Sequence, residues 1–164
     1  MIGVNATGAG NTDAIVEAAR LRLVPLTKQF AHRFDERECR AAEAHWREHA
    51  FGHWALLERQ TGDFVGSAEV HFAYPGVEGI STDEVEVGIE ILPDYQGQGY
   101  ATEALAAMVA DAWRRTNADH LVAYTRPDHA VSITLMKKLG FGFRSSGSGR
   151  DEEPIVVYTL SRPS

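Results

Sequence analysis

The sequence has a single cysteine, no apolar run long enough to span a membrane, and fewer basic than acidic residues. Cys39 has no second cysteine to pair with, so a disulfide within the chain is impossible. The 16 Lys and Arg residues against 23 Asp and Glu give a net charge of −7, which disfavours binding to nucleic acid or to anionic membranes. The amino terminus also lacks a basic region followed by an apolar one. These absences predict a cytoplasmic protein with neither nucleic acid nor membrane as a partner.

The cysteine and the histidines of the sequence give little support for a nucleophile or a metal site. Cys39 lies in the charged stretch 35–40 without an evident partner base, so we expect a solvent-facing helical cysteine rather than a nucleophile. His45 and His49 are one helical turn apart, a spacing that metal ligands use. Because the sequence places no further ligand beside them, we predict no metal site.

The composition is that of an ordinary globular protein, with 44% hydrophobic and 24% charged residues in 164. This length fits one domain with one sizeable core. We interpret residues 1–18 as a flexible tail and residues 19–164 as a single domain, because no repeat or linker divides the chain. The patterns predict these elements in order: a strand at 19–26, helices at 28–34 (capped by Thr27) and 38–49, strands at 51–59, 64–72 and 85–91, a helix after Gly99, a strand at 120–125, a helix from Asp128 to Gly140, and strands at 141–145 and 155–160.

The most informative stretch is 85–105, in which a strand, a glycine turn and a helix follow one another. Residues alternate between apolar and mostly acidic up to position 91, and Gly97 and Gly99 then permit a tight turn. After the turn, apolar residues recur at helical spacing: Leu105, Met108, Val109, Ala112 and Trp113. A glycine turn at a helix N-terminus presents free backbone N–H groups at the positive end of the helix dipole. The stretch therefore predicts a phosphate-binding site.

Two common phosphate-binding motifs do not fit this stretch. A dinucleotide-binding fingerprint needs a third glycine where Thr102 stands, and Asp119 precedes the next strand instead of ending it. A nucleotide-triphosphate loop needs a Lys-Ser or Lys-Thr pair, which is missing. What remains is Gln96-x-x-Gly99-x-Ala101, which resembles the acyl-CoA pyrophosphate loop of the GNAT superfamily of N-acetyltransferases. The longer string at 93–104 and the Arg-Leu-Arg-Leu opening at 20–23 resemble the ribosomal-protein N-terminal acetyltransferase branch.

This resemblance implies a fold, a co-substrate and a binding site. The fold is a mixed α/β (α+β) one, with a mostly antiparallel sheet of about seven strands flanked by about four helices, and homodimers are frequent in the family. The co-substrate is acetyl-CoA, which transfers its acetyl group directly to a primary amine without a covalent enzyme intermediate and without a metal. The resemblance places the cofactor on these residues: Ile91, Leu92, Gln96, Gly97, Gln98, Gly99, Tyr100, Ala101, Thr102, His129, Ser132 and Met136.

The helix after the fifth family strand departs from the family pattern at two positions. His129 stands where the family has asparagine, and Met136 where many members have the tyrosine that protonates the departing thiolate. A thioether cannot donate a proton, so water, Ser132 or Tyr124 are the candidate donors. We expect Asp128 to cap this helix, and its buried face to consist of Val131, Leu135 and Leu139.

The general base and the acceptor are less determined by sequence. Glu86 lies ten residues before Gln96, where some family members keep a catalytic glutamate, and we expect Glu84, Glu90 and His71 behind it. Alternatively, these glutamates form a solvated face of the sheet. A protein N-terminal α-amine is the first acceptor that the resemblance implies, followed by a small amine such as a polyamine, an aminoglycoside or an amino acid. A non-catalytic acyl-CoA-binding module is the remaining alternative.

Overall fold

The computed structural model describes residues 12–164, which form one sheet flanked by helices. The strands are β1 (Val16–Glu17), β2 (Leu21–Pro25), β3 (Trp54–Glu58), β4 (Phe64–Phe72), β5 (Val85–Ile91), β6 (His120–Thr125), β7 (Gly142–Ser148) and β8 (Pro154–Ser161). The α-helices are α1 (Glu36–His49), α2 (Tyr100–Arg115) and α3 (Ala130–Lys138), and single 3-10 turns occupy Lys28–Phe30 and Pro93–Tyr95. No helix in this part of the chain is long and apolar enough to cross a membrane.

The strand order is β1-β2-β3-β4-β5-β6-β8-β7, and every neighbouring pair is antiparallel except β5 and β6. That parallel pair is short: only Val85 with Leu121 and Glu86 with Val122 are in register. Beyond Glu86 the two strands separate, although β5 continues to Ile91. The sheet therefore opens into a wedge beside the carboxyl-terminal half of β5, and α2 begins next to this opening.

The two larger cores pack the helices against the sheet, and Trp46 of α1 joins the core of α2. The larger core joins α2 to the sheet, with Met108 and Trp54 among its fully buried side chains. Ala55 follows Trp54 in β3 and so points to the opposite face, where it packs in a second core with Cys39 and Ala42 of α1.

Cys39 corrects one expectation from the sequence. It is completely buried, not solvent-facing. The charged residues around it misled the prediction, because Cys39, Ala42 and Trp46 recur at spacings of three and four and turn one narrow stripe of α1 inwards. Its charged neighbours point outwards on the same helix.

We expect the Cys39 thiol to be inert in the folded protein. Burial raises its pKa, and the nearby carboxylates of Glu38, Asp35 and Glu36 raise it further, so little reactive thiolate is present. Titration with Ellman's reagent at pH 8 should give almost no reaction in native buffer and one thiol per chain in denaturant. Rapid stoichiometric labelling of the native protein would contradict the buried placement.

The beginning of the domain differs from prediction in three ways. β1 pairs Val16 with Leu23, so the sheet starts inside the predicted tail 1–18; residues 1–11 lie outside the described part of the chain. The predicted helix at 28–34 is only the 3-10 turn, and the Thr27 side chain makes no capping bond to it. The next helix begins at Glu36, two residues early, because the Asp35 side chain accepts from the backbone N–H of Glu38.

The last helix, α3, has a different buried face from the predicted one. Val131 is 78% exposed, and Met136 is the buried residue of the helix. The prediction of Asp128 as N-cap was also wrong, since His129 occupies that position without a side-chain cap bond. The physical reason is that α3 covers only one side of the wedge, so Val131 and Leu135 line an open cleft. The expected mixed α+β fold is confirmed, with eight strands and three α-helices in residues 12–164 instead of seven and four.

Candidate active site

The wedge between β5 and α3 contains a cleft of about 690 Å³. Nine of the predicted cofactor-binding residues line it: Ile91, Gln96, Gly97, Gly99, Tyr100, Ala101, Thr102, His129 and Ser132. Met136 instead lines a smaller inner cavity of about 280 Å³ deeper in the wedge. Ile89, Ser132 and Leu135 border both spaces, so the cleft and the inner cavity meet at these three residues.

The predicted phosphate-binding loop has the geometry that its glycines suggested. Gly97 and Gly99 have φ angles of 75° and 82°, in the left-handed region that glycine adopts without strain. The first hydrogen bond of α2 runs from the N–H of Glu103 to the carbonyl of Gly99. The N–H groups of Tyr100, Ala101 and Thr102 therefore precede the helix ladder and are directed to its N-terminal end. This arrangement fits a pyrophosphate group.

An ion pair that the sequence analysis missed fixes this loop to the edge of the sheet. The Arg20 guanidinium donates to the carbonyl of Gln98 (2.9 Å) and to Glu103 Oε1 (3.0 Å). Glu103 Oε2 in turn accepts from the backbone N–H groups of Arg20 and Leu21. Arg20 also lies 4.4 Å from the centre of the Tyr100 ring. The pair rigidifies the loop and places the Arg20 guanidinium, whose charge Glu103 compensates, beside it.

Two predicted cofactor contacts at the end of β5 are used by the fold itself. The N–H of Leu92 donates to the carbonyl of Val65 at 2.9 Å, which continues the pairing with β4. The carbonyl of Ile91 accepts from the side-chain amide of Gln96 at 2.9 Å. Gln96 of the motif therefore ties the loop back onto the strand that precedes it, and it does so through its side chain.

Two of the hydroxyl-bearing residues that line the inner cavity are the candidate proton donors Ser132 and Tyr124. Ser132 lies at the junction with the cleft, and Tyr124 lines the cavity from β6. Burial raises the pKa of the Tyr124 phenol, and the Glu86 carboxylate raises it further, so this phenol keeps its proton at neutral pH. Met136, in the position where the family often has tyrosine, is 5% exposed and lines the same cavity.

Glu86 has the environment of a general base. Its side chain lines the inner cavity, the residue is 8% exposed, and its Oε2 has no hydrogen-bond partner among the described residues. Burial raises the pKa of Glu86 to about 7, repulsion from Glu69 adds to the shift, and Arg150 opposes it. A carboxylate whose pKa lies near neutrality is suited to accepting a proton. Glu86 is therefore not part of a solvated acidic face.

The neighbouring glutamates of the strand have other environments. Although burial alone would raise the pKa of Glu84, hydrogen bonds from Arg144 and His120 lower it to about 2, and both contacts are 2.5 Å long. Glu90 is exposed and lines the outer cleft. Three glutamates that alternate in sequence thus have three different surroundings, and only Glu86 combines burial with an unpaired oxygen.

An acid–imidazole cluster, formed by His53, Glu69 and His71, lies beside Glu86. In the sheet, His71 is opposite Glu86 and Glu69 is opposite Gly88. The Nε2 atom of His71 is 3.8 Å from Glu86 Oε1, and the His53 and His71 rings are stacked with centroids 5.2 Å apart. His71 was expected here, whereas His53 and Glu69 were missed, since only the strand register could bring them together.

The histidines considered for a metal have structural contacts instead. The His45 ring is hydrogen-bonded through Nδ1 to the carbonyl of Phe51 at 2.8 Å and lies 4.5 Å from the His49 ring. Within residues 12–164, neither belongs to a group of three or more ligand-type side chains. They help to close the end of α1 against Phe51.

Comparison with known proteins decides the family. Residues 13–142 match the family described as Acetyltransferase (GNAT) domain. The chain belongs to the GNAT acetyltransferase family. A 55-residue stretch is 34% identical to the uncharacterized N-acetyltransferase YnaD of Bacillus subtilis, and this match spans 34% of the chain and 32% of that relative. The expectation of a GNAT family member is thereby confirmed.

Solved structures of other GNAT proteins share the fold over nearly the whole chain. A putative GNAT-family acetyltransferase from Bordetella pertussis has a TM-score of 0.80 at 21% identity, covering 90% of this chain and 99% of its own. A putative ribosomal-protein-serine acetyltransferase from Vibrio cholerae has a TM-score of 0.66 at 22% identity, covering 92% and 99%. At these identities the likeness establishes the GNAT fold and not the acceptor.

Proposed function

We propose that this GNAT protein transfers the acetyl group of acetyl-CoA directly to a primary amine, with a protein or peptide N-terminal α-amine as the acceptor and Glu86 as the general base. One observation carries the proposal. The cleft begins at a helix N-terminus with two glycines in the left-handed region and leads to a buried carboxylate with an unpaired oxygen. The cleft therefore connects a site suited to the phosphates of the cofactor with a carboxylate suited to act as the general base.

The residues of the outer cleft fit the phosphates and the carrier arm of the cofactor. No atom lies within 4 Å of the position where a Cβ on Gly97 would stand, so its backbone is open to a ligand. The N–H groups of Gln98, Gly99, Tyr100, Ala101 and Thr102 would hold the pyrophosphate, with the Arg20 charge beside them. Acetyl-CoA supplies the activated acyl group, a thioester carbon with a thiolate as leaving group.

The inner cavity supplies the proton transfers of the reaction. Glu86 accepts a proton from the acceptor amine, whose nitrogen then forms a bond to the thioester carbon while the carbon–sulfur bond breaks. The leaving thiolate receives a proton from Ser132, Tyr124 or water, and Met136 cannot contribute one. An α-amine has a pKa of about 8, so a base with a pKa of about 7 is well matched to it.

Two observations support different acceptors. The solved structures similar to this chain include the protein from Vibrio cholerae described as a putative ribosomal-protein-serine acetyltransferase, which supports a protein N-terminus. The inner cavity of about 280 Å³ would equally admit the amine end of a polyamine, an aminoglycoside or an amino acid. Met136 favours a non-catalytic acyl-CoA-binding module, whereas the buried Glu86 argues against it. Homodimer formation and a cytoplasmic location stay predictions.

Release of free thiol from acetyl-CoA tests the proposal directly. The purified protein is incubated with a panel of peptides with free N-termini, polyamines, aminoglycosides and amino acids. We expect turnover with peptides. Turnover with only one class of small molecules would show that the protein is an acetyltransferase whose acceptor is a small amine and not a peptide. If no acceptor gives turnover but acetyl-CoA raises the melting temperature, the binding-module alternative is favoured. Absence of both would contradict the assignment of the cleft.

A further inference from the structure

The acid–imidazole cluster brings the ligand-type atoms of three side chains close together. The ligand-type atoms of His53, Glu69 and His71 all lie within 4.8 Å of one another. Nδ1 of His71 lies 2.7 Å from the carbonyl of Phe72; because a carbonyl only accepts, Nδ1 carries the proton and Nε2 is a bare lone pair. His53 has a buried Nδ1 without a partner.

Glu69 is the acidic member of this cluster and is reachable from the inner cavity. Its side chain lines the inner cavity together with Glu86. Within residues 12–164 its carboxylate receives no hydrogen bond and forms no ion pair. Burial raises the pKa of Glu69, and repulsion from Glu38 and Glu90 raises it further. A cation bound here would relieve that repulsion.

The ligand that best satisfies three acceptors is a primary ammonium group. An alkylammonium carries three N–H donors and no acceptor. Three hydrogen bonds of ordinary length from a tetrahedral nitrogen place their acceptors about 4.7 Å apart, and the ligand-type atoms of this cluster lie within 4.8 Å of one another. Guanidinium, in contrast, is planar and directs its donors in a fork.

This ammonium is not the amine that reacts. A carboxylate and two imidazole lone pairs stabilise the charged form and so raise the pKa of a bound amine, whereas the nucleophile must lose a proton. Glu86 serves the reacting amine, and its Oε1 lies only 3.8 Å from Nε2 of His71. The two nitrogen positions would therefore be neighbours, with Glu69 and Glu86 both lining the inner cavity.

We propose that the acceptor carries a second primary ammonium group, joined to the reacting amine by a short aliphatic spacer, and that Glu69, His53 and His71 bind it. Putrescine has this chemistry, and so does a peptide that begins with lysine. This proposal rests on the proposed function for its catalytic meaning, since it specifies which amines the site accepts.

The test compares paired acceptors that differ only in the second nitrogen. Putrescine is paired with butylamine, and a peptide beginning with lysine is paired with the same peptide beginning with norleucine. We expect kcat/KM of the wild type to favour the diamine member of at least one pair by about tenfold or more, the range for hydrogen bonds to charged groups. In Glu69→Gln this preference should fall to near unity, and His53→Phe should reduce it. Glu48→Gln, on the exposed side of α1, is the matched control and should keep it.

Three outcomes would overturn the proposal: equal kcat/KM within both pairs, a preference that survives in Glu69→Gln, or a preference lost equally in Glu48→Gln. If the putrescine pair shows the preference, the natural acceptor is a small diamine; if the peptide pair shows it, the acceptor is a peptide that begins with lysine. A binding measurement separates this proposal from the reaction itself. Calorimetric titration of putrescine and of the lysine peptide into the CoA-saturated protein should show binding that Glu69→Gln weakens by about tenfold, even where thiol release fails. Absence of binding in the wild type would contradict the cluster as an ammonium site.

Discussion

Glu86→Gln should lower kcat for acetyl transfer by about a hundredfold to ten-thousandfold, the usual contribution of a general base. Glutamine keeps the shape and part of the polarity of the side chain but cannot accept the proton. Steady-state thiol release measures the loss, and titration of acetyl-CoA should give an unchanged Kd because Glu86 lies in the inner cavity rather than beside the loop. Glu48→Gln is the control for removal of an acidic residue.

The pH dependence gives an independent readout of the same residue. Since burial and Glu69 raise the pKa of Glu86 to about 7, its basic form is lost as the pH falls through 7. The ratio of kcat/KM between wild type and Glu86→Gln should therefore be constant above pH 8 and fall about tenfold per unit below pH 7. The ionisation of the acceptor amine changes kcat/KM of both proteins by the same factor, so it cancels in the ratio.

Stability supplies the check that the variant is folded. A carboxyl group whose folded pKa is raised destabilises the fold progressively as the pH rises from its unfolded pKa, about 4.3, to its folded pKa of about 7, and the full cost is present above that. The melting temperature of Glu86→Gln at pH 8 should consequently equal or exceed that of the wild type. A ratio of kcat/KM that does not change with pH in a stably folded variant would remove Glu86 from the chemistry.

Gly99→Leu should abolish measurable binding of acetyl-CoA while leaving the fold in place. Gly99 has a φ of 82°, and a Cβ there would lie 3.3 Å from Arg20 Nη2. A larger side chain would displace Arg20 and cover the first N–H groups of α2. Losing two hydrogen bonds to a charged ligand, at about 1.5–3 kcal/mol each, corresponds to an affinity loss of about a hundredfold or more.

Gly62→Leu is the matched control for the backbone conformation. Gly62 has a φ of 76° in the turn between β3 and β4, and no atom lies within 4 Å of its Cβ position. Both substitutions should cost about 1–2 kcal/mol of stability, because a non-glycine residue is strained in the left-handed region. Only Gly99→Leu should lose acetyl-CoA affinity, as measured by calorimetry beside circular dichroism. Equal affinity in the two variants would contradict the placement of the phosphates at this loop.

The sequence predicted best where a motif is local and backbone-encoded. The alternation in 85–91 and the glycines at 97 and 99 were enough to predict β5, the turn and the start of α2, because period and turn chemistry act over a few residues. The strand at 64–72 was predicted with its observed limits for the same reason. These elements were also sufficient to indicate the GNAT family.

Features that depend on pairing across the chain were not predictable from local pattern. His53 and Glu69 are sixteen positions apart, and only the register of β3 on β4 brings them together beside Glu86. Arg20 and Glu103 are 83 positions apart and meet at the loop. Val131 and Cys39 were assigned to the wrong environment because the rotation of a helix about its axis depends on which side has a neighbour, and sequence periodicity leaves that open.

The early separation of β5 from β6 has a consequence for what kind of ligand this protein recognises. Two strands that part within a sheet leave main-chain amide groups facing a gap, and such groups require partners. A carrier arm built from peptide-like amides can lie in that gap as an inserted strand, held by atoms that every amino acid possesses. Recognition of this kind would tolerate many side chains along β5 and α3, a methionine at 136 among them. It would be strict only at positions such as Gly99, where the ligand must come close to the main chain.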